Sequence, residues 1–149
     1  MPGKGIVLSL EGRVAVVTGG SRGIGAAIVR MFTQAGARVV FNYQKASKAA
    51  DDLCWECGGA KQCVAVQADL SSAEAAKPLI DAAIQYFGKL DIVIGNHGVW
   101  PAQDAPIDEM ADEQWRSTLA INVDSLFGLV KYGVAQMKRR RTGGNIVLI

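Results

Sequence analysis

The apolar residues of the chain alternate between short continuous runs and longer segments in which they recur with a helical period. The runs predict strands over residues 13–18, 38–43, 62–67 and 90–95, and a fifth strand that begins at Asn145. The periodic segments predict helices over about residues 24–35, 46–58, 73–87 and 112–138. Strands that alternate with helices in this way form parallel sheets with right-handed crossovers. We therefore predict an α/β fold with a Rossmann-like, doubly wound parallel sheet, in one domain spanning residues 1–149.

The composition narrows the class of protein. The 149 residues are 50% hydrophobic and 20% charged, enough for one core and without the signature of disorder. A net charge of +2 is too small to predict nucleic acid or a membrane surface as a partner. The N-terminal residues lack the long apolar region of a signal peptide, and no apolar run approaches the roughly 18 to 20 residues of a membrane span. We expect a cytoplasmic protein.

Three cysteines and one basic run each admit a specialised and an ordinary interpretation. Cys54, Cys57 and Cys63 have a C-x-x-C spacing, but no second ligand pair accompanies them, so packing is favoured over a metal or redox role. The basic run, residues 138–141, could be a nuclear signal or a phosphate patch. It fits better as a solvated helix end followed by Gly143 as the cap. No metal site is predicted.

A glycine-rich stretch, TGGSRGIG, stands between the first predicted strand and the first helix. Gly19, Gly23 and Gly25 would let the backbone turn sharply and approach a pyrophosphate, which would bind the N–H groups at the helix N-terminus. No Gly-Lys-Ser/Thr follows, so this is not a P-loop. The spacing is T-G-x-x-x-G-x-G, and it predicts a dinucleotide site.

At this spacing the chain resembles the short-chain dehydrogenase/reductase family. The family's Asp-Leu after the third strand matches Asp69 and Leu70, and its long-helix Asn matches Asn122. The family's N-N-A-G after the fourth strand matches residues 95–98 only in part, because Gly replaces the first Asn and His replaces Ala. Its G-x-I-V matches GGNIVLI. The resemblance implies hydride transfer between a nicotinamide and a carbonyl or hydroxyl carbon of a small substrate. Together with the turn it predicts cofactor contacts at Gly19, Ser21, Arg22, Gly23, Ile24, Gly25, Tyr43, Gln44, Lys45, Asp69, Leu70, Asn96, His97, Gly98 and Ile121.

The end of the second predicted strand bears on the choice of coenzyme. An acidic residue there would bind a ribose 2′-hydroxyl, whereas basic residues would accommodate a 2′-phosphate. Here Tyr43 replaces the acid, Lys45 follows, and Arg22 lies within the glycine-rich turn. A guanidinium can bind a phosphate through bidentate, charge-assisted hydrogen bonds. We predict NADP(H) in preference to NAD(H), the alternative being that both cations are ordinary surface residues.

His97 is the only histidine, and an acid or base role is one interpretation. The resemblance favours a wall or hydrogen-bonding role beside the cofactor, because the family has a small residue there. Trp100 and Pro101 would line the mouth of the pocket or only pack.

Asn122 interrupts an apolar helical stretch, where a buried amide needs partners. The resemblance implies a catalytic role, in which this Asn kinks the helix and holds a water of the proton relay; the alternative is an exposed polar position. Asp124 and Ser125 are interpreted as helix-surface residues.

The family's catalytic Ser, Tyr and Lys cannot be placed in the chain. Tyr43, Tyr86 and Tyr132 each lack a Lys four residues later. We therefore expect the chain to be the cofactor-binding N-terminal portion of a longer reductase, truncated after the fifth strand and inactive alone. The alternative is a short non-catalytic protein that binds a nucleotide or a partner.

The predicted helix over residues 112–138 bears on assembly. It carries more apolar positions than one sheet face can cover. Relatives pair this helix across a two-fold axis, so we expect the full-length form to be a homo-oligomer.

Overall fold

A five-stranded parallel sheet forms the centre of the computed structural model, which describes residues 9–101, 105–141 and 143–149. Its strands are β1 (Val14–Val17), β2 (Arg38–Tyr43), β3 (Cys63–Gln67), β4 (Ile92–Gly95) and β5 (Asn145–Leu148). They lie in the order β3-β2-β1-β4-β5, and each adjacent pair is parallel. This confirms the predicted Rossmann-like α/β fold.

Helices cover both faces of the sheet. They are α1 (Gly23–Gln34), α2 (Ser47–Glu56), α3 (Lys77–Phe87), α4 (Asp112–Leu119) and α5 (Ser125–Arg140). Successive side chains of a strand point to opposite faces, so β1 contributes to two separate hydrophobic clusters. Val14 and Val16 pack with residues of α3 and α5, whereas Ala15 and Val17 pack with residues of α1 and α2. Burial on both faces explains why the sequences of β1 and β4 are continuously apolar rather than alternating.

The long helix predicted over residues 112–138 is interrupted. A π-helical turn, Ala120–Asp124, separates α4 from α5 and has Asn122 at its centre. The basic residues 138–140 lie in the last turn of α5 as expected, but the helix cap is not Gly143. Arg141 occupies the left-handed cap position, with φ 54°, and its N–H donates to the Lys138 carbonyl.

Asp91 fixes the amino-terminal edge of the sheet. Its carboxylate accepts a 2.8 Å hydrogen bond from the Val14 N–H and pairs with Lys89 at 3.0 Å and Arg13 at 3.6 Å. Burial acts to raise the pKa of this carboxyl, but Lys89, the Val14 N–H and Arg13 together lower it below its usual value. Asp91 is therefore ionised and satisfied although its residue is buried.

The cysteines lie in the cluster that α1 and α2 form with the sheet. Cys57 and Cys63 are buried, Cys54 is half-buried, and the thiols are free. Within the described ranges, no group of three or more His, Cys, Asp or Glu residues could hold a metal ion. None of the helices in those ranges is both long enough and apolar enough to cross a membrane.

Candidate functional site

A cavity of about 310 Å³ opens where the chain leaves β1, β2, β3 and β4. In open α/β sheets, ligands bind at the carboxyl ends of the strands, where the strand order reverses. The cavity brings together many residues that the sequence predicted as cofactor contacts: Gly19, Ser21, Arg22, Tyr43, Gln44, Asp69, Leu70, Asn96, His97, Gly98 and Ile121. Three further lining residues were not predicted, namely Asn42, Ala68 and Val99.

Five predicted site residues lie outside this lining: Gly23, Ile24, Gly25, Lys45 and Asn122. Lys45 is exposed one position beyond Gln44. Gly23 and Ile24 are exposed at the start of α1, and Gly25 is buried beneath the turn. Trp100 and Pro101 also lie outside it and line a separate apolar hollow.

The glycine-rich turn has the form of an anion cradle. Gly19 and Gly23 have φ of 63° and 56°, which side-chain-bearing residues rarely adopt. A Cβ on Gly25 would lie 2.1 Å from the Gly19 carbonyl oxygen, so the turn closes only over a glycine. In the described part of the chain no side chain caps the first turn of α1, which also contains no acidic residue. The N–H groups of that turn are therefore free of any side-chain partner and suit a phosphate group.

Asn42 ties the ends of three strands together. Its Oδ1 accepts a 2.7 Å hydrogen bond from the Gly19 N–H, and its Nδ2 donates to the Ala68 carbonyl at 3.0 Å. The Asn42 carbonyl also accepts from the Gly20 N–H at 3.0 Å. The residue is 4% exposed. A buried Asn directly after the apolar run Val39–Phe41 could have flagged this position, although its partners are remote in sequence.

Thr18 and Asn96 join the ends of β1 and β4. The Asn96 N–H donates to Thr18 Oγ1 at 2.8 Å, and Asn96 Nδ2 donates to the Thr18 carbonyl at 3.0 Å. Thr18 is completely buried, so its hydroxyl must be satisfied within the protein. This pair fixes the loop that follows β4 against the start of the glycine-rich turn.

His97 lines the cavity and bonds through both ring nitrogens. Nδ1 lies 2.8 Å from Thr18 Oγ1, and Nε2 lies 2.6 Å from Ser125 Oγ. Burial lowers the pKa of the ring below its usual value, opposed by the Ile121 carbonyl. The sequence-based assignment of Ser125 to the helix surface is wrong, because this side chain is completely buried and hydrogen-bonded to the ring. Asp124 is exposed as expected.

Asn122 is half-buried, and both ends of its amide bond one residue. Oδ1 accepts from the Val99 N–H at 2.8 Å, and Nδ2 donates to the Val99 carbonyl at 2.9 Å. The alternative of an exposed polar position is therefore wrong. The side chain fastens the loop after β4 to the π turn, and its role in a proton relay stays a prediction.

The charges around the cavity are sparse. Among the residues that the structure describes, the ionisable groups of its lining besides His97 and Tyr43 are Arg22 and Asp69, and both are exposed. Arg22 is the residue immediately before α1, next to the uncapped N–H groups. No carboxylate follows directly at the end of β2, where Tyr43, Gln44 and Lys45 stand.

This arrangement of a glycine-rich turn at the switch point of a 3-2-1-4-5 sheet defines a dinucleotide-binding class of α/β protein. The sequence profile of the short chain dehydrogenases matches residues 13–149. The chain belongs to the short-chain dehydrogenase family.

Individual relatives agree with this assignment. An uncharacterized oxidoreductase of Methylorubrum extorquens is 41% identical over 143 residues, covering 94% of this chain and 55% of the relative. The NADP-dependent (R)-specific alcohol dehydrogenase of Lentilactobacillus kefiri is 34% identical over 141 residues, covering 93% and 54%. A short chain dehydrogenase from Burkholderia cenocepacia, solved in complex with NADP, has a TM-score of 0.81 at 30% identity, covering 93% and 55%. The chain thus spans about half the length of these relatives.

Proposed function

We propose that the cavity binds NADP(H) in preference to NAD(H). We also propose that the chain is the coenzyme-binding portion of a longer oxidoreductase that transfers hydride between the nicotinamide and a carbonyl or hydroxyl carbon of a small molecule. The observation that carries this proposal is the uncapped, glycine-built turn at the carboxyl edge of the sheet, with Arg22 beside it. When bound, the coenzyme supplies or accepts the hydride.

The residues present fit such a coenzyme. The N–H groups at the start of α1 would hold the pyrophosphate, and Asp69 and Leu70 would contact the adenine. Arg22 would bind the 2′-phosphate, with Lys45 near it. Position 43 holds Tyr rather than an acidic residue, so no carboxylate there repels the negative charge of the 2′-phosphate. The Burkholderia relative was solved with NADP and the Lentilactobacillus relative is NADP-dependent by name, which supports the same choice here.

The residues at the other end of the cavity would position the nicotinamide side. His97 and Gly98 would form its wall, and Asn122 would hold the loop at Val99 and take part in the proton relay. These 149 residues contain no Tyr followed four positions later by Lys. We therefore propose that they bind coenzyme without turnover. We also propose that the full-length reductase works in the cytoplasm.

An exposed apolar stripe supports the proposed homo-oligomer. Trp115, Leu119, Val123 and Phe127 recur every four residues along α4, the π turn and α5, and they are 37% to 63% exposed. Apolar side chains grouped in this way are typical of protein interfaces. We propose that the stripe pairs with a second copy of the protein.

The coenzyme proposal is tested by calorimetric titration of the chain with NADPH and NADH. We expect tighter binding of NADPH. Arg22→Ala should weaken NADPH binding by about 10- to 100-fold, as expected for lost charge-assisted hydrogen bonds, while NADH binding changes little. Arg139→Ala, which removes an exposed cation in the last turn of α5, is the matched control and should leave both affinities unchanged. Equal affinities for the two coenzymes, or equal effects of the two substitutions, would contradict the proposal.

A further inference from the structure

We propose that His97 is a positioning residue whose neutral ring, protonated on Nε2, links the end of β1 to the π turn and holds the cavity edge in shape. The effect on coenzyme affinity rests on the proposed function, whereas the protonation state and the link do not. The ring spans two elements that are otherwise remote in sequence, because Thr18 directly follows β1 and Ser125 begins α5, next to the π turn. Both hydroxyls are completely buried, so their hydrogen-bond partners are fixed by the protein.

The hydrogen-bond partners of Ser125 determine whether His97 Nε2 carries a proton. Ser125 Oγ lies 2.6 Å from the Ile121 carbonyl, which can only accept, so the hydroxyl hydrogen is donated there. The same oxygen lies 2.6 Å from His97 Nε2. Having no second hydrogen, the hydroxyl must accept from Nε2–H. This places the ring proton on Nε2.

The partners on the Thr18 side agree. Thr18 Oγ1 accepts from the Asn96 N–H at 2.8 Å and from the His97 N–H at 3.1 Å, which occupies both of its lone pairs. Its own hydrogen can go to His97 Nδ1 at 2.8 Å or to the Ile94 carbonyl at 3.3 Å. The shorter contact requires an unprotonated Nδ1. Both sides thus specify the same neutral tautomer.

Protonation would break this arrangement. An Nδ1–H would be a third donor directed at Thr18 Oγ1, so at least one of the two backbone N–H bonds would be lost or lengthened. Those N–H groups belong to Asn96 and His97, which line the cavity. Burial favours the neutral form of the ring. The groups around the ring are uncharged: Thr18 and Gly19 directly after β1, Asn96 and Gly98 from its own loop, and Ile121 and Ser125 from the π turn and α5. The charged residue of that turn, Asp124, is exposed and does not shift the pKa of the ring.

Nitrogen-15 NMR tests the link directly, because the chain has a single histidine and its ring signals need no assignment. At pH 7 we expect one neutral tautomer, with Nε2 protonated and Nδ1 not. Ser125→Ala should convert it to a mixture of tautomers. Ser117→Ala is the matched control, since its exposed hydroxyl also bonds a helix carbonyl, and it should leave the ring unchanged. A protonated Nδ1 at pH 7, or equal effects of the two serine substitutions, would overturn the inference.

Coenzyme titration gives the second readout. NADP⁺ affinity is measured at pH 7.5 and pH 5.5 for the natural chain and for His97→Gln, whose side chain stays neutral. The coenzyme phosphate titrates equally in both experiments. The difference between the two proteins in their loss of affinity therefore reports the protonation of the histidine alone. We expect the natural chain to lose more affinity than His97→Gln, in proportion to the fraction of rings protonated at pH 5.5 and up to about fivefold, the effect of one ordinary hydrogen bond. Equal losses at a pH where the nitrogen-15 spectrum shows a protonated ring would overturn the inference. If the natural chain binds no NADP⁺ at pH 7.5, the proposed function is refuted and the NMR result alone decides the link.

Discussion

Replacement of Asn42 by alanine tests how the carboxyl edge of the sheet is held together. The substitution removes the acceptor of the Gly19 N–H, at 2.7 Å, and the donor to the Ala68 carbonyl, at 3.0 Å. Each hydrogen bond contributes about 1 kcal/mol net, and a group left unpaired away from water costs about 1–3 kcal/mol more. Because Asn42 is 4% exposed and both bonds are part-buried, water would replace its amide only incompletely, and we expect a loss of about 2–4 kcal/mol. A domain is stable by only about 5–15 kcal/mol, so this is a large fraction.

Urea denaturation followed by circular dichroism measures this loss. With a slope of about 2 kcal/mol per M, the transition midpoint should fall by about 1–2 M. Asn145→Ala, at an exposed position at the start of β5, is the matched control and should change stability by less than about 0.5 kcal/mol. Asn42→Asp keeps an acceptor for the Gly19 N–H but sets an oxygen against the Ala68 carbonyl, so it should also destabilise. If the alanine variants at positions 42 and 145 unfold at the same urea concentration, the reasoning is refuted.

Three further predictions follow from the geometry. Gly25→Ala should abolish NADP⁺ binding measured by calorimetry, because its Cβ would lie 2.1 Å from a carbonyl oxygen of the turn; unchanged affinity would contradict the cradle. The pKa of Asp91 is lowered on folding, so its contribution to stability is complete above the unfolded value of 3.8 and is lost as the pH falls through the folded value. Urea midpoints between pH 5 and pH 2 should therefore fall more steeply for the natural chain than for Asp91→Asn, and parallel curves would count against this. Phe127→Lys should reduce self-association in light scattering of the longer reductase, whereas Trp55→Lys, exposed on α2 away from the stripe, should not; equal masses for all forms would argue against the interface.

β1, β2 and β4 were predictable because their burial on both faces leaves a nearly continuous apolar run in the sequence. β1, with all four residues buried, is the clearest case. The glycine-rich turn was predictable because glycine alone accommodates its φ values and close contacts. The break between α4 and α5 left no trace in the apolar period, and only the resemblance at Asn122 indicated a kink.

The polar links of the site were not predictable, because their partners come from remote elements. Asn42 bonds residues 23 and 26 positions away, and Ser125 bonds a ring 28 positions away. The local sequence around Asn42 and Ser125 does not identify the partners of either side chain. Their burial follows from the way the sheet brings the strand ends together, which local patterns do not specify.

The most direct test of the account is a crystal structure of the chain with NADP⁺ bound. We predict the pyrophosphate on the N–H groups at the start of α1, the 2′-phosphate within hydrogen-bonding distance of Arg22, and the adenine beside Asp69 and Leu70. NADP⁺ bound away from this turn, or bound there with its 2′-phosphate in solvent and distant from Arg22, would contradict it.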